Sequence, residues 1–191
     1  NFGLSHANRY HCFNLNGGKE SISFYCDSVE YGDWYSIMNT GGTGWHNGPH
    51  LLEAGWFDKK FLQVGSVGNT YTLVPLEKKA LKGEFQLLQI PITVETSLYA
   101  PYDNKAYFVE FRQPLDDYEF VEERDKGIYN GVNIRIAQFN EGGFTRVSPN
   151  LIIFPVGRTT VIPLRKGESF IDSLNGIEIV LEEITGIGED A

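Results

Sequence analysis

The chain has 191 residues, with 16 basic and 25 acidic side chains and a formal net charge of −9, a balance that excludes a nucleic-acid binder relying on a basic surface. Its 41% hydrophobic share supports a packed core in one large domain or two small ones and excludes disorder. No apolar run approaches the roughly 18 residues of a membrane span, and 21 glycines with 14% aromatics favour turn-rich β structure over a helical bundle.

Residues 1 to about 58 hold all four histidines, all three tryptophans and both cysteines, with little strand-like alternation. The chain opens on Asn1 and its one methionine is Met38, so a preceding segment is expected. Cys12 and Cys26 lie in a stretch rich in Gly, Asn and Ser; they form a local disulfide if the protein is exported and are two thiols if it is cytosolic. No N-glycosylation sequon occurs to support secretion. A short helix is expected over 49–54, with Asn47 or Gly48 as cap, Pro49 at the first helical position, Gly55 closing it and Trp56-Phe57 as anchor.

Beyond Lys60 short strand patterns fall at 70–74, 85–90, 107–111, 132–136, 151–154, 160–164 and 177–184, separated by Gly, Pro, Asn and Asp clusters. Seven such strands suggest an antiparallel β-sandwich. In Tyr107, Val109, Phe111 and in Val132, Ile134, Ile136 the apolar residues alternate with Glu110, Arg112, Asn133 and Arg135. Each of these strands is therefore expected to have one buried and one wet face. Val109, Phe111, Val132, Ile134, Ile136, Ile177 and Ile179 are the expected core, and 186–191 an acidic, frayed tail.

Three stretches carry a family resemblance. Asn1-Phe2-Gly3-Leu4-Ser5-His6-Ala7-Asn8 closely resembles the second half of the metzincin zinc-peptidase signature, His-Glu-x-x-His-x-x-Gly-x-x-His. Gly3 takes the position of the glycine that ends the helix, and His6 that of the third zinc ligand. Tyr31-Gly32-Asp33-Trp34-Tyr35-Ser36-Ile37-Met38 resembles the Met-turn, whose methionine floors the zinc imidazoles. His50-Leu51-Leu52-Glu53-Ala54-Gly55-Trp56-Phe57 resembles the helix and Gly-Trp step of gametolysin-type and immune-inhibitor-type metallopeptidases, and the strands after it resemble their β-rich region. Specific motifs are confined to the first 57 residues. Thr40 departs from the pattern, standing where some metzincins place a metal-facing tyrosine.

The resemblance implies a mainly β chain: residues 1–58 as the lower lobe of a metzincin catalytic domain, Met-turn plus short helix, and residues 59–191 as an antiparallel β-sandwich. It implies zinc bound by His6, Met38 as support and a Cys12–Cys26 disulfide in an extracellular, secreted protein. No catalytic residue is expected within this chain, since the general-base glutamate and two zinc histidines would lie upstream of Asn1. The chain is then the C-terminal portion of a zinc-dependent endopeptidase acting on protein or peptide substrates, and inactive alone. The alternative is a non-catalytic extracellular binding or structural β module derived from such a peptidase.

Other candidates rank lower. His46 and His50 stand four apart with Pro49 between them, and with His11 they read as surface or substrate-cleft histidines rather than a second metal site. Asp116, Asp117, Glu119, Glu122, Glu123 and Asp125 offer the oxygens calcium prefers, but without the ordered spacing of a calcium loop they read as a solvated acidic loop. Asp172 and Glu178 have no visible partner, and Cys12 lacks the His and Asn of a cysteine nucleophile.

Overall fold

The computed structural model describes residues 3–4, 6–33, 35–38, 45–92, 105–115, 129–140, 143–144, 150–152 and 163–186. The first strands form an antiparallel unit that the sequence had not announced, in which β1 (Ala7–Phe13) pairs with both β2 (Lys19–Glu20) and β3 (Tyr25–Val29). The β1–β2 turn follows from Asn14, whose Oδ1 accepts from the backbone N–H groups of Asn16 and Gly18 at 3.0 and 2.8 Å, while Gly17 takes a φ of 77°, which glycine adopts without steric cost. β3 returns antiparallel to β1 with Cys12 directly opposite Cys26, and the two are joined by a disulfide with Cα atoms 4.0 Å apart. This stretch therefore does not lack strands. Its alternation is masked because most of its residues are half-buried on both faces.

The helix forms as α1 (Gly48–Glu53), capped by Asn47, whose side chain accepts from the N–H of His50 at 2.9 Å; Pro49 is thus its second residue. Gly55, at a φ of 72°, closes it. Of the two expected anchors, Phe57 packs against the core, whereas Trp56 is half exposed.

The remaining strands are β4 (Leu62–Val64), β5 (Leu87–Pro91), β6 (Lys105–Phe111), β7 (Val132–Asn140), β8 (Gly143–Phe144), β9 (Asn150–Ile152), β10 (Ser169–Asp172) and β11 (Ile177–Val180). Nine strands share one sheet in the order β2-β1-β9-β7-β6-β5-β4, with β3 on β1 and β8 on β7, and β10 and β11 form a separate hairpin. The pairs β1–β9 and β4–β5 are parallel and the others antiparallel. Since β1 pairs with β9, the sheet crosses the boundary expected between residues 58 and 59.

Residues 70–74 are not a strand; Tyr71 and Leu73 instead pack their rings and methyls against the core, and the backbone is tied by Val74 N–H to Phe85 O at 2.8 Å. The strand expected at 177–184 ends at Val180, and β10 was not anticipated. Of the strand expected at 160–164, only the end lies within the described residues, where Leu164 bridges Val132. The acidic residues 116–125, Thr40 and the tail beyond 186 lie outside the described residues.

All seven residues of β6 are buried, and its two faces carry separate clusters. On one face Tyr107, Val109 and Phe111 join Val132, Ile134 and Ile136, against which Phe170, Ile177 and Ile179 of the β10–β11 hairpin pack. On the other, Ala106, Phe108, Leu87 and Ala137 meet Leu52 of α1. The wet face expected for β6 and β7 is therefore absent. Glu110, Arg112, Asn133 and Arg135 are all buried, because the N-terminal segment and α1 cover that side.

Candidate functional site

The β1–β3 register builds the site. Cys12 faces Cys26 and Arg9 faces Val29, so continuing the pairing brings the residues after β3, Glu30 and Tyr31, beside His6 at the start of β1. The His6 ring is held at both nitrogens: Nδ1 lies 2.7 Å from Glu30 Oε1 and Nε2 lies 2.7 Å from the Tyr31 hydroxyl. The Tyr31 ring also stacks on it at 3.9 Å. An ionised carboxylate can only accept, so in the neutral ring Nδ1–H donates to Glu30 and the phenol donates to the Nε2 lone pair. Gly3, three residues before His6, has a φ of 84°, the left-handed conformation a turn at that point requires.

Tyr31 has a φ of 56° and is the one non-glycine residue with positive φ among those described. Such a conformation costs roughly 1–2 kcal/mol for an L-residue. It is held by Asn8, whose Oδ1 accepts from Tyr31 N–H at 3.0 Å, and by Gly32 N–H donating to Val29 O at 3.2 Å.

The segment around Met38 is fixed beside His6 through the backbone. Ala7 N–H donates to Met38 O at 3.0 Å and Asp33 N–H to Ala7 O at 3.1 Å. Met38 is half-buried. Behind this segment lies a wholly buried charge cluster. The Arg135 guanidinium pairs with Asp33 and with Glu110, the latter at 2.8 Å. The other oxygen of Glu110 accepts the N–H of Gly48 at the start of α1, at 2.7 Å. Arg112 pairs with Glu77 at 2.9 Å and donates to the carbonyl of Tyr35 at 2.7 Å. Burial raises the Asp33 carboxyl above its ordinary value, with Glu110 adding to the effect and Arg135 opposing it. Burial likewise raises Glu77 against the pull of Arg112.

Of the other histidines, one departs from the surface or cleft position expected of it and two are partly exposed. His50 is fully buried in α1, not a surface residue. His46 packs edge-on to Trp56 at 5.3 Å and to His50 at 6.2 Å, and burial, then Arg112, lowers its pKa. His11 lies in β1 opposite Asp27, its pKa lowered by burial and by Arg9 and Lys19. Among the described residues no group of three metal-binding side chains converges. Asp172, which the sequence left without a partner, accepts a 2.6 Å hydrogen bond from the buried Tyr107 hydroxyl. Glu30 escaped the sequence reading, and the pairing of Asp33, Glu110 and Arg135 was not expected of residues read as part of a turn or a wet face; the cross-strand cysteine pair, taken as a register mark, would have brought Glu30 and Tyr31 to His6.

Comparison of the chain with known protein families, with curated proteins and with solved structures returned no match.

Proposed function

We propose that the chain is the C-terminal portion of a secreted zinc-dependent endopeptidase, with His6 as one zinc ligand, Gly3 in the turn before it and Met38 as the floor of the site. The two other histidines and the general-base glutamate belong to a His-Glu-x-x-His segment upstream of Asn1. The observation that carries this reading is the His6 ring itself, backed at Nδ1 by the Glu30 carboxylate, with its Nε2 on the Tyr31 hydroxyl. A carboxylate behind an imidazole fixes the ring tautomer and raises its basicity as a metal ligand. The donor chemistry fits one position of a zinc set, and zinc when bound supplies a water activated near neutral pH.

In this reading residues 1–58 are the lower lobe of a metzincin catalytic domain. The β10–β11 hairpin over β6 and β7 is the second layer of a sandwich, and the Cys12–Cys26 disulfide suits an oxidising, extracellular setting. The boundary at 58 marks a change of role within one sheet rather than two bodies.

The test compares two chains. An upstream extension that includes His-Glu-x-x-His is expected to cleave casein or gelatin in a chelator-sensitive way and to lose this with His6→Ala, whereas residues 1–191 alone are expected to cleave neither. Proteolysis by the extended chain that survives His6→Ala refutes the proposal. The second reading, a non-catalytic extracellular β module, is favoured by the lack of a converging metal-ligand group among the described residues. It predicts no chelator-sensitive cleavage by either chain.

A further inference from the structure

We infer that the tip of the first strands, formed by Leu15, Phe24 and Tyr25, docks on the interfacial zone of a zwitterionic lipid bilayer. The inference does not depend on the peptidase reading. Its first support is exposure: Leu15 is 84% exposed, Phe24 61% and Tyr25 58%. A single exposed apolar side chain is ordinary, but a group of them marks an interaction surface. These three share one end of the sheet, since Leu15 lies two residues beyond Phe13, Tyr25 stands directly across from Phe13 and Phe24 precedes it. The second support is rigidity. Asn14 Oδ1 closes the turn that carries Leu15, and Ser23 Oγ donates to the Phe13 carbonyl at 2.7 Å while accepting from Tyr25 N–H at 3.0 Å. Buried Ile22 and Ser23 anchor the second turn on one side, and Cys26, bonded to Cys12, anchors it on the other. Phe24 and Tyr25 are thus held outward by the fold, and the cost of ordering them is met on folding rather than on binding.

Charge and area select the occupant. From Phe13 to Cys26 the only charged residues are Lys19 and Glu20, of opposite sign, in a chain of net charge −9. The tip therefore carries no net charge by which to recognise an acidic or basic partner, and the chain as a whole is repelled by an anionic surface. An aromatic side chain buries about 150–250 Å², so the three exposures leave on the order of 400 Å² accessible. That is about half of the roughly 800 Å² that each partner gives to a stable protein interface, and a second copy docked on this tip alone falls short. A bilayer interface needs no complementary shape, and it favours amphipathic rings such as Tyr25. Three side chains give weak, reversible binding of the kind a single acyl chain gives, which holds the protein at a surface without spanning it.

Co-sedimentation of the whole chain with pure phosphatidylcholine vesicles tests this. Binding is expected, and is expected to persist in about 1 M salt, where the screening length is about 3 Å. Leu15→Ser combined with Phe24→Ser is expected to lower the partition coefficient at least about tenfold with the thermal midpoint unchanged. Val67→Ser, at a fully exposed valine just beyond β4 on the opposite edge of the sheet, is expected to leave it unaltered. Leu15→Trp keeps the tip apolar; it is expected to bind at least as tightly and to be quenched by brominated phosphatidylcholine more strongly than the wild type. Absence of binding by the wild type, binding lost in high salt, or equal binding by the double variant overturns the inference. So does vesicle binding by Leu15→Trp without added quenching, which decides the matter even if the double variant fails to fold. A dimer that depends on the tip, found by sedimentation equilibrium in a chain that ignores vesicles, overturns it in favour of a second copy as the occupant.

Discussion

Replacing Arg135 with methionine is the sharpest probe of how the sheet holds the segment around Met38. Arg135 is fully buried and bridges Asp33, in the segment leading to Met38, to Glu110 on β6. Methionine fills much of the same volume but leaves two buried carboxylates without their cation, and breaking a buried pair by removing one partner costs about 3–5 kcal/mol. That is a large fraction of the roughly 5–15 kcal/mol by which domains are stable. The fall should appear in the urea midpoint with little change in slope. A triple variant, Arg135→Met with Asp33→Asn and Glu110→Gln, removes all three charges yet keeps amide oxygens to accept from Tyr35 N–H and Gly48 N–H, which the two carboxylates now bond at 3.0 and 2.7 Å. It is expected to recover at least half of the loss. A single variant that loses under about 1 kcal/mol, or a triple variant no more stable than the single, would refute the view that desolvated charge, rather than lost packing, sets the penalty.

Three further outcomes are expected. Replacing Cys12 and Cys26 together by serine should lower stability by about 3 kcal/mol, the chain-entropy value for a loop of about 15 residues, as read by chemical denaturation; an unchanged midpoint contradicts it. Gly48→Ala puts a Cβ 2.5 Å from Leu87 Cδ1 and 3.2 Å from Glu110 Oε2, an overpacking expected to cost about 1–3 kcal/mol and to shift the thermal midpoint down by several degrees. The lowered pKa of His46 means that the folded state resists protonation there. Its contribution to stability is present above the unfolded imidazole value of about 6.5 and is lost as pH falls through the folded value. Urea midpoints measured from pH 8 to pH 5 should therefore fall less steeply for His46→Gln than for the wild type.

The parts of the fold legible in the sequence were those where one physical signal acted alone. The alternation in β6 and β7 marked the residues of the larger apolar cluster, and the Asn-Gly-Pro start with Gly55 at the end bracketed α1. The same alternation misled on the other face. Glu110, Arg112 and Arg135 read as solvated because an isolated polar residue on a strand usually is, yet each meets an opposite charge brought from far along the chain: Asp33 lies 102 residues from Arg135, and Glu77 lies 35 from Arg112. Periodicity carries no information about such pairings. The strands β1 to β3 were missed for a related reason, since half-burial on both faces erases the pattern that strands are recognised by. The candidate site was legible only in part. His6, Gly3 and Met38 were singled out by resemblance to a family signature, a reading the structure leaves untested, whereas the contacts of Glu30 and Tyr31 with His6 became visible once the cysteines fixed the register.

The segment from Asp33 to Met38 has no strand or helix of its own in its described residues, yet contacts from elsewhere in the chain hold it. Two are backbone bonds to Ala7, one is the Trp45 carbonyl accepting from Ile37 N–H at 3.3 Å, and two are the buried guanidinium groups, Arg135 on Asp33 and Arg112 on the Tyr35 carbonyl. An irregular segment pays for order in backbone entropy, about 1–2 kcal/mol per residue, with no hydrogen-bond ladder of its own to offset it. Charge-assisted hydrogen bonds to buried guanidinium groups are among the few contacts strong enough to do so. Both come from the sheet: Arg135 lies on β7, and Arg112 immediately follows β6. The order of this segment therefore depends on the sheet, through arginines that lie 102 and 77 residues along the chain from Asp33 and Tyr35.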